Sequence, residues 1–218
     1  MNTLKVDINI ETNEISVWNN GKGIPVVLHK EHGVYVPELI FGHLLTGSNF
    51  NDSKKKTTGG RNGYGAKLAN IFSKEFVVET ASGEQKKYYK QVFSNNMADK
   101  DTPVLKSYTK PDFTCITFTP DLARFQMEGL EEDIVALMKK RVYDIAGTTK
   151  GPLKVYLNGV KITTTSFEKY ASMYSSASLT DTPVLFDEKT DRWHVGVGLS
   201  DDGLQQGKDL LLHYHNII

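Results

Sequence analysis

At 218 residues, with 39% hydrophobic and 24% charged residues, the chain has the composition of an ordinary folded protein, long enough for one core or for one core plus part of another. Lysine plus arginine and aspartate plus glutamate each number 26, so a formal net charge of zero excludes any global pull toward nucleic acid or an anionic membrane. A single cysteine, Cys115, excludes an internal disulfide, and with no apolar run of bilayer length and no secretory leader an intracellular, reducing location without a membrane partner is expected.

In chain order, residues 6–10 alternate, Thr12-Asn13-Glu14 turns the chain, and residues 15–18 alternate again, which predicts a β-hairpin running into the glycine loop Asn19-Asn20-Gly21-Lys22-Gly23. Residues 38–45 are apolar enough for a short helix. The polar stretch 46–60 reads as a loop, and its lysines Lys54 to Lys56 as a solvated face. Residues 65–72 have helical spacing, with Leu68, Ile71 and Phe72 on one face. Strands follow at 75–81, 87–93 and 114–119, and Cys115 in the third reads as a buried strand thiol. The best helix is 128–146, with Leu130, Ile134, Leu137, Met138 and Val142 on its apolar stripe. Residues 154–157 and 160–162 form a hairpin around Asn158-Gly159, a strong turn dipeptide. A boundary is expected near Thr165, with a further strand at 192–199.

Two glycine motifs carry the candidate chemistry. Asn-x-Gly-x-Gly at Asn19, Gly21 and Gly23 alone reads as a hairpin exit, since Asn and Gly tolerate left-handed backbone. The second, Gly60-Arg61-Asn62-Gly63-Tyr64-Gly65-Ala66-Lys67, spaces its glycines G-x-x-G-x-G just before a helix. Uncovered backbone amides at a helix start suit phosphate oxygens, and Arg61 and Lys67 add charge that a purely structural turn does not need. It is not the usual P-loop, which ends in Gly-Lys-Ser/Thr, nor a dinucleotide fingerprint, which follows a strand directly.

The motifs Val17-Trp18-Asn19-Asn20-Gly21-Lys22-Gly23-Ile24-Pro25-Val26, Tyr35-Val36-Pro37, Phe41-Gly42-His43-Leu44-Leu45-Thr46-Gly47-Ser48-Asn49 and Thr57-Thr58-Gly59-Gly60-Arg61-Asn62-Gly63-Tyr64-Gly65-Ala66-Lys67 together resemble the ATPase region of eukaryotic type II DNA topoisomerases. The likeness continues through residues 114–122 and 133–141 and more faintly to Gln205-Gln206. It implies an α+β fold, a two-layer sandwich of the gyrase, Hsp90, histidine kinase and MutL type (the Bergerat fold), in residues 1–165, followed by the start of a transducer-type α/β domain in 166–218. It also implies that Asn19 reads adenine, that Gly21 and Gly23 let the base approach the backbone, and that Thr114 lines the adenine side. Ser48 and Asn49 would bond ribose and phosphates, and Gly60, Arg61, Asn62, Gly63, Tyr64, Gly65, Ala66 and Lys67 would wrap the triphosphate. The implied ligands are ATP with Mg2+, and the implied partners of the full-length enzyme are double-stranded DNA and a second copy of the chain, in the nucleus.

Departures from the pattern shape the expectation for this chain. The family's catalytic glutamate and magnesium-binding asparagine lie on a helix upstream of the first strand, so a chain starting at Met1 is expected to lack both, to leave the sandwich incomplete and to expose apolar sheet. The lysine that the family brings to the γ-phosphate comes from further downstream. Residues 207–218 do not resemble the family's continuation, and Gly47 stands where the family has serine. His213 and His215 read as incidental, without further ligands nearby. The expected function is nucleotide binding in a topoisomerase that passes one duplex through a transient break in another. The alternative is a non-catalytic binding remnant without activity, and a chaperone- or kinase-type ATPase is disfavoured by the length of the motif run.

Overall fold

A computed structural model describes residues 1–44, 63–149, 151–174, 185–187, 193–199 and 209–215. The predicted hairpin forms, β1 (Thr3–Asn9) antiparallel to β2 (Glu14–Asn19) with Val6 opposite Val17. The chain then passes α1 (Val36–Gly42) and α2 (Gly65–Ile71) before β3 (Ser73–Ser82) and β4 (Lys87–Ser94). Two short strands that the sequence did not announce, β5 (Asp99–Lys100) and β6 (Val104–Ser107), both pair with β4. After β7 (Phe113–Pro120), α3 (Glu132–Thr148) leads to the hairpin β8 (Lys154–Leu157) and β9 (Val160–Lys161). Its Asn158 and Gly159 take φ of 47° and 76°, the left-handed pair that such a turn needs.

Among the described residues these nine strands form one sheet in the order β5-β4-β3-β7-β2-β1-β8-β9, with β6 beside β4. Every pairing is antiparallel except β1 with β8. β7, late in sequence, is thus inserted between β3 and β2. One face carries Leu4, Val6, Ile8, Ile15 and Val155 against Val142 and Ala146 of α3. The same face continues through Phe76, Val78, Tyr89 and Phe93 to Phe41 of α1 and to Val26, which is fully buried. Phe118 touches both clusters, so the helices cover one side of a single sheet. This α+β two-layer arrangement is the one expected.

The opposite face is open and semi-polar. Lys5 Nζ lies 4.9 Å over the Trp18 ring, Trp18 stacks on Phe113, and Tyr88 and Tyr108 join them. Cys115 belongs to this face, half-buried and 3.5 Å from Ser16 Oγ, which corrects the expectation of a buried thiol. The alternating run identified the strand but not which of its faces the helices cover.

Two helices also differ from their predicted patterns. α3 begins at Glu132, leaving Leu130 outside it, and Leu137 is 48% exposed although it lies on the predicted apolar stripe. In α2 the buried residues are Lys67 and Asn70, while Leu68 is 46% exposed. Asn70 Nδ2 donates to Phe41 O at 3.0 Å, so a side-chain amide, not leucine, anchors α2 to α1.

Beyond β9, α4 (Phe167–Ser172) is capped by Ser166, whose Oγ accepts from Lys169 N, and packs on α3. β10 (Leu185–Asp187), β11 (Trp193–Leu199) and β12 (Asp209–His215) form a separate antiparallel sheet. The α3–α4 seam is built on Asp144. Tyr170 donates its hydroxyl to the carboxylate, and Lys140 Nζ at 2.9 Å and Arg141 Nη1 at 3.1 Å complete the shell. Burial pushes the Asp144 pKa upward, but these donors outweigh it and hold it below the usual value of 3.8. A carboxylate with a depressed folded pKa stabilises the fold above its unfolded pKa and stops doing so as pH falls through the folded value. The stability gap between wild type and Asp144→Asn, followed by urea unfolding, is therefore expected to be full at neutral pH and to close as pH is lowered past 3.8.

Candidate functional site

Asn19 ends β2, opposite Leu4 on one side and Thr114 on the other. Thr114 in turn faces Thr80, and Thr80 faces Tyr89. Partners directly across strands share a face, so Asn19, Thr114, Thr80 and Tyr89 form one row on the helix-covered side. The chain leaves this row through a tight turn in which Gly21 N donates to Asn19 Oδ1 at 2.9 Å. A Cβ on Gly21 would lie 2.9 Å from that same oxygen, so the glycine lets the amide keep its place. With its oxygen held, the amide nitrogen of Asn19 is left to donate, and Thr114 offers a hydroxyl beside it.

Two residues that the sequence reading did not single out fix this corner. Asp112 accepts from Gly23 N at 3.2 Å and from Gly83 N at 2.7 Å, clamping the loop after β2 to the turn after β3. Thr80 Oγ1 accepts from Ile24 N, donates to Phe113 O and lies 3.0 Å from Thr114 Oγ1. It is fully buried. Their only sequence signals were a strand end running into Ser82-Gly83 and the turn Lys110-Pro111-Asp112. Both signals look like ordinary punctuation. Gly23 is pressed so closely on this clamp that a Cβ would meet the Ala81 carbonyl oxygen at 1.8 Å.

Of the second motif, Gly63, Tyr64, Gly65, Ala66 and Lys67 are described, whereas Ser48, Asn49, Gly60, Arg61 and Asn62 lie outside the described residues, as do Gly47 and Lys54 to Lys56. Gly63 has a φ of 65°, which only glycine adopts without strain. Gly65 differs: it has no such backbone, and among the described residues nothing lies within 4 Å of the Cβ it lacks. None of the described residues requires a glycine there. Lys67 is buried, its Nζ donating to Gly63 O at 2.9 Å, and burial lowers its pKa. The ammonium ties the start of α2 to the end of the glycine loop.

Between α2, α3 and β7 runs a groove of about 360 Å³ lined by Leu68, Phe72, Phe118, Ile134 and Met138 among others. Its walls are almost wholly apolar, so it offers no donors for a triphosphate. Among the described residues, carboxylates offer no ready cation site beside Asn19. Asp112 is taken by two backbone N–H groups, and Glu38 by Lys100 Nζ at 2.6 Å and Gln91 Nε2 at 3.2 Å. The described residues of this corner therefore offer amide and hydroxyl groups but do not by themselves fit Mg2+.

Comparison with known proteins bears on this geometry. No protein-family model matches the chain. DNA topoisomerase 2 of Bombyx mori is 52% identical over 211 residues, which cover 94% of this chain and 14% of that protein. The chain thus spans about one seventh of the length of the curated relatives it matches. The crystal structure of the ATPase region of Saccharomyces cerevisiae topoisomerase II superposes with a TM-score of 0.86 at 46% identity, over 92% of this chain and 53% of that one. The ATPase and transducer domains of DNA topoisomerase II from Balamuthia mandrillaris superpose with a TM-score of 0.84 at 44% identity, over 93% and 51%.

Proposed function

Because this chain belongs to the DNA topoisomerase II family, as part of its ATPase region, we propose that it supplies the adenine and phosphate contacts of the ATP pocket through which the whole enzyme is driven. The observation that supports this reading is the row of Asn19, Thr114 and Thr80 at the end of β2, beside a loop that glycine alone allows to lie so near. Asn19 and Thr114 read the base, with Gly21 and Gly23 thinning the wall around it. Ser48 and Asn49 bond ribose and phosphates, and Gly60 to Lys67 closes over the triphosphate. The glycine at Gly65, which none of the described residues requires, is accounted for by a phosphate passing close to the backbone.

Bound ATP supplies a γ-phosphate for transfer to water, and Mg2+ arrives with it, held by groups other than those described here. The family resemblance puts the general base on a segment preceding β1. Among the described carboxylates, Asp112 and Glu38 are engaged, and Glu11 and Glu14 lie at the far turn of the first hairpin. On this reading the residues of this chain serve to bind the nucleotide, and the base that activates water is supplied from outside them. In the whole protein, ATP joins two such regions around a DNA duplex in the nucleus, and hydrolysis resets the gate after passage through a break made elsewhere. Residues 166–218 begin the transducer-type domain that would relay the nucleotide state.

The test is titration of the purified chain with a fluorescent ATP analogue, alongside phosphate-release assays. Saturable binding without phosphate release is expected. Asn19→Ala should weaken binding about tenfold, the loss of roughly 1.4 kcal/mol of base hydrogen bonding. Gly65→Ala should keep the wild-type melting temperature and still lose affinity. A folded chain that ignores ATP would overturn the pocket assignment, and steady hydrolysis by the chain alone would overturn the claim that its base lies elsewhere.

A further inference from the structure

Between the adenine corner and α1 the chain makes a tight turn, His29-Lys30-Glu31-His32-Gly33, that the nucleotide pocket does not use. It is closed like a small hairpin. His29 N donates to Val34 O at 2.7 Å, Gly33 N to His29 O at 2.9 Å and Val36 N to Val27 O at 3.0 Å, with Leu28 bridged to Tyr35. Gly33 sits at a φ of 65° with open space where a Cβ would be, so the chain reverses sharply without strain. This reversal brings the His29 and His32 rings to a centroid separation of 5.0 Å. One ligand atom each from His29, Glu31 and His32 lies within 4.8 Å of the other two. The Nδ1 of His29 is shielded from solvent and has no hydrogen-bond partner among the described residues, an uncommon condition for a polar atom. Glu31 and His32 are exposed, so their side chains are free to adjust while the backbone of the turn stays fixed.

We propose that this turn is a binding site for a divalent transition-metal ion of the Zn2+ class. Two imidazoles and one carboxylate are the donor set of zinc, cobalt, nickel and copper sites, with a fourth position left to water. Metal–nitrogen bonds of about 2 Å in a tetrahedral site put ligand atoms about 3.4 Å apart. Small rotations of the two exposed side chains close the remaining gap. Mg2+ and Ca2+ prefer oxygen ligands, so the site discriminates against the cation that accompanies ATP. A metal here also ties down one wall of the pocket. The segment leaving the turn on one side runs through buried Val26 to Ile24, whose N–H is held by Thr80, and on the other through Tyr35 into α1.

The probe is Co2+ alone, titrated into the full 218-residue chain stripped with EDTA and followed by its visible absorption, then displaced with Zn2+. A single Co2+ per chain with the strong bands of low-coordinate geometry is expected, together with a melting temperature raised by Zn2+. His32→Gln and Glu31→Gln, both at exposed positions, should melt like wild type in EDTA, bind Co2+ about tenfold more weakly or worse, and lose the Zn2+ shift. The double substitution His213→Gln and His215→Gln should change nothing, which separates this turn from the other histidine pair in the sequence. The proposal is overturned by absence of binding at micromolar metal, by His32→Gln binding as tightly as wild type, by loss of binding in the His213/His215 variant, or by displacement of the ion with Mg2+.

Discussion

Gly23→Ala is expected to cost the chain most of its stability and all of its nucleotide affinity. The added methyl carbon would sit 1.8 Å from the Ala81 carbonyl oxygen and 2.6 Å from its carbon, both of them backbone atoms inside a paired strand. No rotamer change relieves a clash of that kind. Either β3 gives way or the loop lifts off it, and lifting breaks the bonds from Gly23 N to Asp112 and from Ile24 N to Thr80. Overpacking costs roughly 1–3 kcal/mol, and the two bonds add roughly 1–3 kcal/mol each because their partners are left without a mate. Their sum approaches the whole stability of a typical domain, about 5–15 kcal/mol. A thermal melt of the variant should show a large loss of melting temperature or no cooperative transition. Wild-type melting would mean that the loop is not seated on β3 as described.

A second glycine gives a large effect for a different reason, and two opposing terms decide its sign. Gly147 lies in the last turn of α3, where alanine is favoured over glycine by about 1 kcal/mol of helix propensity. Its missing Cβ, however, would meet Tyr170 Cβ at 2.3 Å and Cγ at 2.5 Å. Tyr170 is buried and tied by its hydroxyl to Asp144, so it cannot swing away without giving up that bond. Moving α4 outward pulls Tyr170 from the seam, an overpacking penalty of about 2–3 kcal/mol. Steric cost therefore exceeds the propensity gain, and Gly147→Ala should lower the urea midpoint. An unchanged or higher midpoint would show that the two helices are not in close contact in solution.

The parts of this molecule that could be read from sequence are those decided locally. Both hairpins, their turns at Asn13 and Asn158-Gly159, and α3 all follow from alternation, left-handed turn residues and helical spacing within a short window. The left-handed backbone at Gly63 is legible for the same reason. What escaped depends on neighbours distant in the chain. β5 and β6 are too short to show a pattern and exist as edge strands of β4. Leu68 looked like a core residue by spacing, yet the face of α2 that packs is set by Asn70 reaching Phe41 O. Thr80 and Asp112 carry no motif at all, and matter only because β7 lies between β3 and β2 and brings both to the loop at Gly23.

That insertion of β7 also sets when the pocket can come into being. Asn19 finds Thr114 only after β7 has entered the sheet, and β1 is pinned along its edge by Lys154 to Leu157 and by Asn158 bonding Ile8 N, 150 residues away. During synthesis, the first hairpin leaves the ribosome long before any strand it needs on either flank, and for that interval both of its edges are bare. Closure of such distant pairings is slow and arrives late. Nucleotide cannot stabilise the early chain, because the two side chains proposed to read the base are not yet neighbours, so binding of an ATP analogue would report completion of the sheet as a whole.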